Sequence, residues 1–509
     1  IYCMENNSVV RTRFAPSPTG FVHIGSLRTA LFSFLYARKM NGVHVLRVED
    51  TDQSRLVEGA IENLLRVMKE VGIEFDEGFS LSDDGKIVEK GGHGPYMQSN
   101  RLPIYTKHVL ELVEKGSAYY CFCTEARLDE LRKEQIALKK PPMYDRLCRK
   151  LEASEVDLKL KEFEEKRLRP VIRQAIPEDG HTVIRDLIYK DILVEHKVLD
   201  DQVLLKSDGF PTYHLAVVVD DHYMQISHVI RGEEWIASTP KHILLYKAFG
   251  WEPTQFAHLP LILNPDKSKL SKRQGDVSVE SYLEKGYLKE ALINFVAFLG
   301  WNPKTEQEIF SLKDLISEFD FEKINKAGAV FDLEKLDWMN GLYIRSKSNS
   351  ELIQLIIPYL QNTGLIQDSE NAEYLEKIVG LEKDRLKKLS DIGPRTSYFF
   401  AEPEYEPELL VWKKSSKEEC QLHLTKLGEF LEKLSDVDFD KDILEEKVKG
   451  FISSNDFDNG SVLWPMRVAL TGLQASPGPF EVASAIAFGR GKGTVLARIN
   501  RAATLLLRD

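Results

Sequence analysis

Two short stretches of this sequence carry residue types suited to phosphate chemistry. The first is His23-Ile24-Gly25-Ser26, which follows the loop Ala15-Pro16-Ser17-Pro18-Thr19-Gly20. A helix beginning there would present free N–H groups and the positive end of its dipole, which favours phosphate. His23 could donate to a phosphate oxygen, and Gly25, lacking a β-carbon, would let a base or ribose lie close to the backbone. The second stretch is Lys269-Leu270-Ser271-Lys272-Arg273, three cations in five residues with Pro265 and Gly275 on either side. Attack on an α-phosphate needs positive charge aimed at the transferring centre and at the departing pyrophosphate. Taken singly, each stretch has a plainer reading: a helix start with an incidental histidine, or a solvated basic face. A third group is Cys121-x-Cys123 with Cys148 twenty-five residues beyond Cys123. Zinc takes four ligands of thiolate, imidazole or oxygen type, and these supply three.

The elements that must hold these residues follow from pattern. Residues 9–14 form a β-prone run, and each proline of the next loop biases its predecessor to extended backbone. From Ser26, apolar residues recur at helical spacing through Leu27, Leu31, Phe34 and Leu35, with Gly42 as a stop. Residues 43–48 read as a second strand that ends in Glu49-Asp50-Thr51-Asp52, and a helix is expected over about 58–71. This strand–loop–helix–strand order predicts a parallel sheet of the doubly wound class. Further along, 124–138 and 155–169 read as charged helices, 202–205, 215–219 and 226–230 as strands, and 240–249 as a helix. Beyond about 350 the pattern is almost wholly helical, with Leu424, Leu427, Leu431 and Leu434 at helical spacing and Ile443, Leu444, Val448 and Phe451 likewise.

Composition limits the rest. With 509 residues, 43% apolar and 29% charged, the chain is globular and expected to form several domains of roughly 150 residues. No run approaches the ~20 apolar residues that span a bilayer, and no basic-then-apolar leader pattern is present. Five cysteines are no disulfide framework, so a reducing cytoplasm is expected. Translation is expected to start at Met4, after Ile1-Tyr2-Cys3. A net charge of −11 argues against a globally basic nucleic-acid binder but allows local basic surfaces.

The two phosphate stretches occur in one order and spacing with residues 47–52 (Arg-Val-Glu-Asp-Thr-Asp), 207–214 (Ser-Asp-Gly-Phe-Pro-Thr-Tyr-His), 229–235 (Val-Ile-Arg-Gly-Glu-Glu-Trp) and 331–336 (Phe-Asp-Leu-Glu-Lys-Leu). That set resembles glutamyl-tRNA synthetase of the bacterial type, a class I aminoacyl-tRNA synthetase. The resemblance is strongest over about 11–105 and 200–342. It implies an α/β Rossmann-type catalytic domain with an α+β acceptor-stem insertion and an all-α C-terminal anticodon-binding region. The implied segments are 9–102 and 209–262 for the two Rossmann halves, 103–208 for the insertion and 263–347 for a stem-contact domain. Residues 348–435 and 436–509 would be two helical anticodon subdomains.

The resemblance also implies roles. ATP, with Mg2+ on its phosphates, would lie between the two stretches, against His23, Gly25, Ser26, Glu234, Trp235 and Ile262, with Lys269, Lys272 and Arg273 meeting the charge that develops. Ser26 stands where the strict form of the first signature has a second histidine. L-glutamate would be held by Ala15, Ser17 and Glu49 about its ammonium, Arg13 and Tyr213 at its side-chain carboxylate, and Arg231 at its α-carboxylate. Glutamine there would leave a buried arginine without its counter-charge, at about 3–5 kcal/mol. For zinc, some members end their ligand set with histidine where this chain has Lys150, and Tyr144 matches a coordinating tyrosine of a close relative; the alternative is three unconnected thiols. The helical rear separates the chain from glutaminyl-tRNA synthetase, whose corresponding part is β-barrel. Arg385 falls near the position that meets the third anticodon base, and Arg467 and the 490–501 stretch are further tRNA candidates. The expectation is a monomer charging tRNA(Glu), with tRNA(Gln) as an additional acceptor the alternative. A tRNA-independent adenylating ligase is the more distant rival, and the helical rear speaks against it.

Overall fold

The computed structural model describes residues 9–82, 84–270, 278–367, 370–413 and 415–507. The chain divides into two compact units. One runs through Tyr282 and takes in Leu292–Asp332; the other comprises Leu283–Ala291 and Leu333–Asp509. Among the described residues, no helix is long and apolar enough to cross a membrane.

The first unit is built on a six-stranded sheet. In chain order its strands are β1 (Arg11–Phe14), β2 (Val43–Leu46), β3 (His181–Asp186), β4 (Lys190–Glu195), β5 (His228–Gly232) and β6 (Gln255–Leu259). Their spatial order is β2-β1-β5-β6-β3-β4. Every pairing is parallel except the β3–β4 hairpin at the edge. The sheet direction of the chain reverses between β1 and β5, so a crevice opens at their carboxyl ends, where doubly wound sheets hold ligands. Helix α1 (Ile24–Lys39) connects β1 to β2 and is buried along its length through Leu27, Leu31, Phe32, Phe34 and Leu35. Arg38 and Lys39 in its last turn suit the negative end of its dipole.

β3 and β4 lie inside the span that the resemblance assigned to the insertion, yet they extend the main sheet. The rest of that span contributes a separate antiparallel sheet of Ala118–Cys121, Val171–Gln174 and Val203–Leu205. Its apolar face, with Ile172 and Leu204, shares a core with Tyr105, Val109 and Leu112 of Leu102–Glu114 and with Leu215–Val219.

That last segment corrects an expectation. Residues 215–219 read as a strand, but they lie in helix α2 (Tyr213–Tyr223). All five are buried, so the run shows no solvent face from which a helical period could be read.

The second unit is helical. Lys417–Glu432 buries Cys420, Leu424, Leu427 and Leu431 against Asn459–Thr471 and Lys492–Leu505. The leucine spacing seen in the sequence is thus the inner face of this helix.

Candidate active site

The loop after β1 is shaped by its prolines and pinned by backbone. Glu49 N–H donates to the Pro16 carbonyl at 3.0 Å and Val57 N–H to the Pro18 carbonyl at 3.0 Å. His23 then caps α1: its Nδ1 accepts from Ser26 N–H at 3.2 Å, and its Nε2 lies 2.9 Å from Ser26 Oγ. With Nδ1 accepting, the neutral ring carries its proton on Nε2 and donates to Ser26. Serine at position 26 therefore orients His23. A β-carbon on Gly25 would come within 3.1 Å of the His23 ring, so this glycine makes room for the capping imidazole. Gly25 also lines the crevice that opens behind this loop.

The crevice behind this loop has a volume of about 960 Å³. His23, Gly25, Ser26, Glu234, Trp235, Ile262 and Lys269 line it together with Arg13, Ala15, Ser17, Glu49, Tyr213 and Arg231. Residues from five separate stretches of sequence therefore meet in one place. Lys269 arrives through a tight turn, with Asn264 N–H donating to Ser268 O at 2.8 Å and an antiparallel bridge between Leu263 and Lys269. Lys272 and Arg273 fall outside the described residues. Sequence reasoning missed Arg28, one turn along α1 from the first signature. It is buried in the crevice wall, donates to the carbonyls of Leu299 and Pro260, and is lowered to about 10 by burial.

The inner end of the crevice is a buried ion network. Arg13 Nε lies 3.2 Å from Asp221 Oδ1, which also accepts from Arg47 Nη1 at 2.7 Å. Arg47 Nη2 is 2.9 Å from Glu49 Oε1. Asp220, beside Asp221, accepts from Arg101 Nε at 2.7 Å, Tyr105 Oη at 2.8 Å and Gln98 Nε2 at 2.9 Å. Both aspartates sit in the last turn of α2, where the dipole disfavours negative charge, so the arginines must supply the compensation. Burial pushes the Asp221 carboxyl up, but Arg13 and Arg47 outweigh it and hold it below the usual range. Burial raises Glu49 against the pull of Arg47 and Arg13. This network corrects the argument about glutamine. Arg13 has a resident counter-charge in Asp221, so glutamine would not leave it orphaned, and any preference must come from how its remaining N–H groups meet the side chain.

Arg231 is held differently. Its Nη1 donates to Tyr213 Oη at 2.9 Å, its Nη2 to Thr239 Oγ1 at 2.8 Å and its Nε to His258 Nε2 at 3.2 Å. No carboxylate among the described residues lies within 4 Å of it in an ion pair. Burial, helped by Arg231 itself, lowers His242 well below 6.5 and His214 to about 4, so neutral rings surround the guanidinium. Burial also keeps the Tyr213 phenol protonated. Tyr213 in turn packs on Trp235, ring centroids 4.2 Å apart, which joins the two ends of the crevice.

Residues 9–338 match the model of the catalytic domain of class I tRNA synthetases (E and Q), and 351–503 match an anticodon binding domain. A glutamate–tRNA ligase of Clostridioides difficile is 51% identical over 396 residues, 77% of this chain and 80% of its own. One from Clostridium tetani is 45% identical over 496 residues, 97% of each chain. The chain belongs to the glutamate–tRNA ligase family. A solved glutamate tRNA ligase of Elizabethkingia meningosepticum, crystallised in complex with its amino acid, shares the fold at TM-score 0.86 and 36% identity. That comparison covers 98% of this chain and 100% of the other.

Two further features of this glutamate–tRNA ligase family member involve residues that do not line the crevice. Cys121 Sγ and Cys123 Sγ each lie 3.4 Å from Tyr144 Oη, and Cys123 Sγ is 3.6 Å from Cys148 Sγ. Tetrahedral zinc with bonds of ~2.3 Å to sulfur and ~2.0 Å to oxygen needs separations of about 3.5–3.8 Å, close to these three, and the three sulfurs all lie within 4.8 Å of one another. Hydrogen bonding from Cys148 lowers the Cys121 thiol, whereas that same contact with burial raises Cys148 and burial raises the Tyr144 phenol, so one thiolate is shared among protonated neighbours. Arg127 Nη1 stands 3.4 Å from Cys123 Sγ, and the Arg173 guanidinium lies 4.1 Å over the Tyr144 ring, cations that suit an anionic ligand set.

In the helical unit, Arg385 is exposed on the short turn Lys383–Arg385. Beside it Glu382 is buried, with Oε1 accepting from Tyr398 at 3.2 Å and Oε2 3.8 Å from Arg395. Arg467 is half-buried, with Nε lacking a hydrogen-bond partner among the described residues. In the 490–501 stretch Arg498 is buried and donates to the carbonyls of Leu470 and Ala401, while Arg490 is exposed and pairs with Glu370.

Proposed function

We propose that this chain attaches L-glutamate to tRNA(Glu) at the expense of ATP, in two steps. The α-carboxylate of glutamate attacks the α-phosphate of ATP, and pyrophosphate leaves from glutamyl-adenylate. The terminal ribose hydroxyl of the tRNA then attacks the activated carbonyl, and AMP leaves with glutamyl-tRNA(Glu) as product. No side chain has to form a covalent bond, so the residues act by orientation and by charge.

The observation that carries this reading is the convergence of the first phosphate stretch, Lys269 at the start of the second and two differently partnered arginines on one crevice. Arg13 and Tyr213 would receive the side-chain carboxylate, Arg231 the α-carboxylate, and Glu49 with Ser17 and Ala15 the ammonium. His23, Gly25, Ser26, Glu234, Trp235 and Ile262 would border ATP, with Lys269, Lys272 and Arg273 meeting the pyrophosphate. Magnesium would be held chiefly by phosphate oxygens and water, the mode that suits a small ion slow to dehydrate. An ATP–pyrophosphate exchange assay tests the reading: exchange should require L-glutamate and rise with added tRNA(Glu). Exchange indifferent to glutamate would overturn it.

The tRNA choice is proposed as tRNA(Glu) alone, by a monomer, with Arg385 at the third anticodon base and Arg467 at the tRNA backbone. One charged contact to a base carries ~1–3 kcal/mol of discrimination. Comparable glutamylation of tRNA(Glu) and tRNA(Gln) transcripts would instead mean an enzyme serving both.

Zinc is proposed on Cys121, Cys123, Tyr144 and Cys148, supported by the separations above. It would supply structure, clipping the end of the Ala118–Cys121 strand to the segment around Cys148. Metal analysis should find about one equivalent, lost in Cys123→Ser together with part of the thermal stability, since metal binding free energy is folding free energy.

A further inference from the structure

Of the four neutral partners of Arg231 (Tyr213, Thr239, His258 and, at 3.4 Å, His242), one is itself fixed by a buried acid. His258 Nδ1 lies 2.6 Å from Asp186 Oδ2, which also accepts the His258 backbone N–H at 3.1 Å. A carboxylate only accepts, so Nδ1 carries the proton and Nε2 presents its lone pair to Arg231 Nε. Asp186 cannot turn away, because its other oxygen accepts from the backbone N–H groups of Ile188 and Tyr189 at 2.9 and 2.8 Å. The two residues come from adjacent parallel strands, Asp186 at the end of β3 opposite Phe256 and His258 two residues further along β6. Both side chains are fully buried. Burial, the largest influence, keeps the imidazole neutral, with Arg231 acting the same way and Asp186 opposing. A charged ring would turn Nε2–H against Nε–H of the arginine.

We propose that Asp186 and His258 are positioning residues for Arg231, fixing the plane of its guanidinium through an imidazole while keeping carboxylate contact free for the amino-acid substrate. An acid touching Arg231 directly would compete with the incoming α-carboxylate. Set one ring away, the same acid orients the arginine without occupying it. This rests on the reading of Arg231 as the α-carboxylate contact.

The test is steady-state exchange kinetics with L-glutamate and ATP varied separately in the presence of tRNA(Glu), on Arg231→Gln, His258→Phe, His258→Gln and Asp186→Asn. His258→Phe should raise the KM for glutamate roughly tenfold or more, the scale of one hydrogen bond to a charged group, with the KM for ATP within about twofold. Gln at 258 can offer an oxygen where Nε2 stood and should recover most of the loss. Asp186→Asn should fall between, since the tautomer is no longer enforced. In an Arg231→Gln background, His258→Phe should add nothing further to the glutamate KM, whereas a merely structural role would add its own effect. If Arg231→Gln raises the KM and folded His258→Phe and His258→Gln do not, the proposal alone falls. If Arg231→Gln itself leaves the glutamate KM unchanged, the substrate reading falls and the proposal goes with it.

Discussion

Arg13 and Arg231 enter one crevice with the same charge and opposite company. Arg13 shares Asp221 with Arg47 inside a network of acids and bases. Arg231 touches a phenol, a hydroxyl and an imidazole. Both are buried, so burial alone does not tell whether a guanidinium can still recruit an anion. The partner decides. A carboxylate spends most of the charge on the fold, whereas neutral acceptors hold the geometry and leave the charge to a ligand.

Three substitutions probe that contrast. Asp221→Ala should have the largest effect, since it removes the ion-pair partner of buried Arg13 and leaves Arg47 to Glu49 and Asp220, at a cost of about 3–5 kcal/mol of stability. Chemical denaturation measures it, and a loss below about 1 kcal/mol would mean that water already reaches the network. Arg231→Gln should do the reverse. Stability should change by no more than about 1.5 kcal/mol, because the abandoned partners are neutral, yet kcat/KM for glutamate should fall roughly a hundredfold. An equal loss of stability in both variants would erase the distinction. Arg13→Ala should show the smallest effect, a roughly tenfold fall in the glutamate-over-glutamine preference, ~1.4 kcal/mol, with ATP binding little changed. Side-by-side activation of the two amino acids gives the ratio, and an unchanged ratio would assign the side chain to another residue.

The legible part of this molecule was the part fixed by local sequence. Prolines before a helix start and leucines at helical spacing state their geometry within a few residues. So the loop after β1, α1 and the helical second unit were expected where they lie. Helix α2 was misread because its first turns are buried on all sides, and that error hid Asp220 and Asp221. Two acids after an apparent strand read as a surface turn; at the end of a buried helix they must be paired. The Asp186–His258–Arg231 chain was invisible for a different reason. Its members stand 72 and 27 residues apart, and they meet through strand neighbours that no periodicity announces. The contacts within the first motif were out of reach as well: the residue types pointed to phosphate, but only the folded chain shows that Gly25 leaves room for the imidazole of His23 and that Ser26 bonds to it.

The hairpin of β3 and β4 bears on how this chain could be taken apart. A cut that removed residues 103–208 as a self-contained cassette would strip two strands from the main sheet, because β3 pairs with β6 through Asp186 and Phe256. It would turn β6, now interior, into a bare rim of unpaired N–H and carbonyl groups, a template for edge-to-edge association between molecules. The shortened protein should therefore precipitate or oligomerise, and a minimal catalytic core from this chain has to keep residues 181–195 along with the two Rossmann halves.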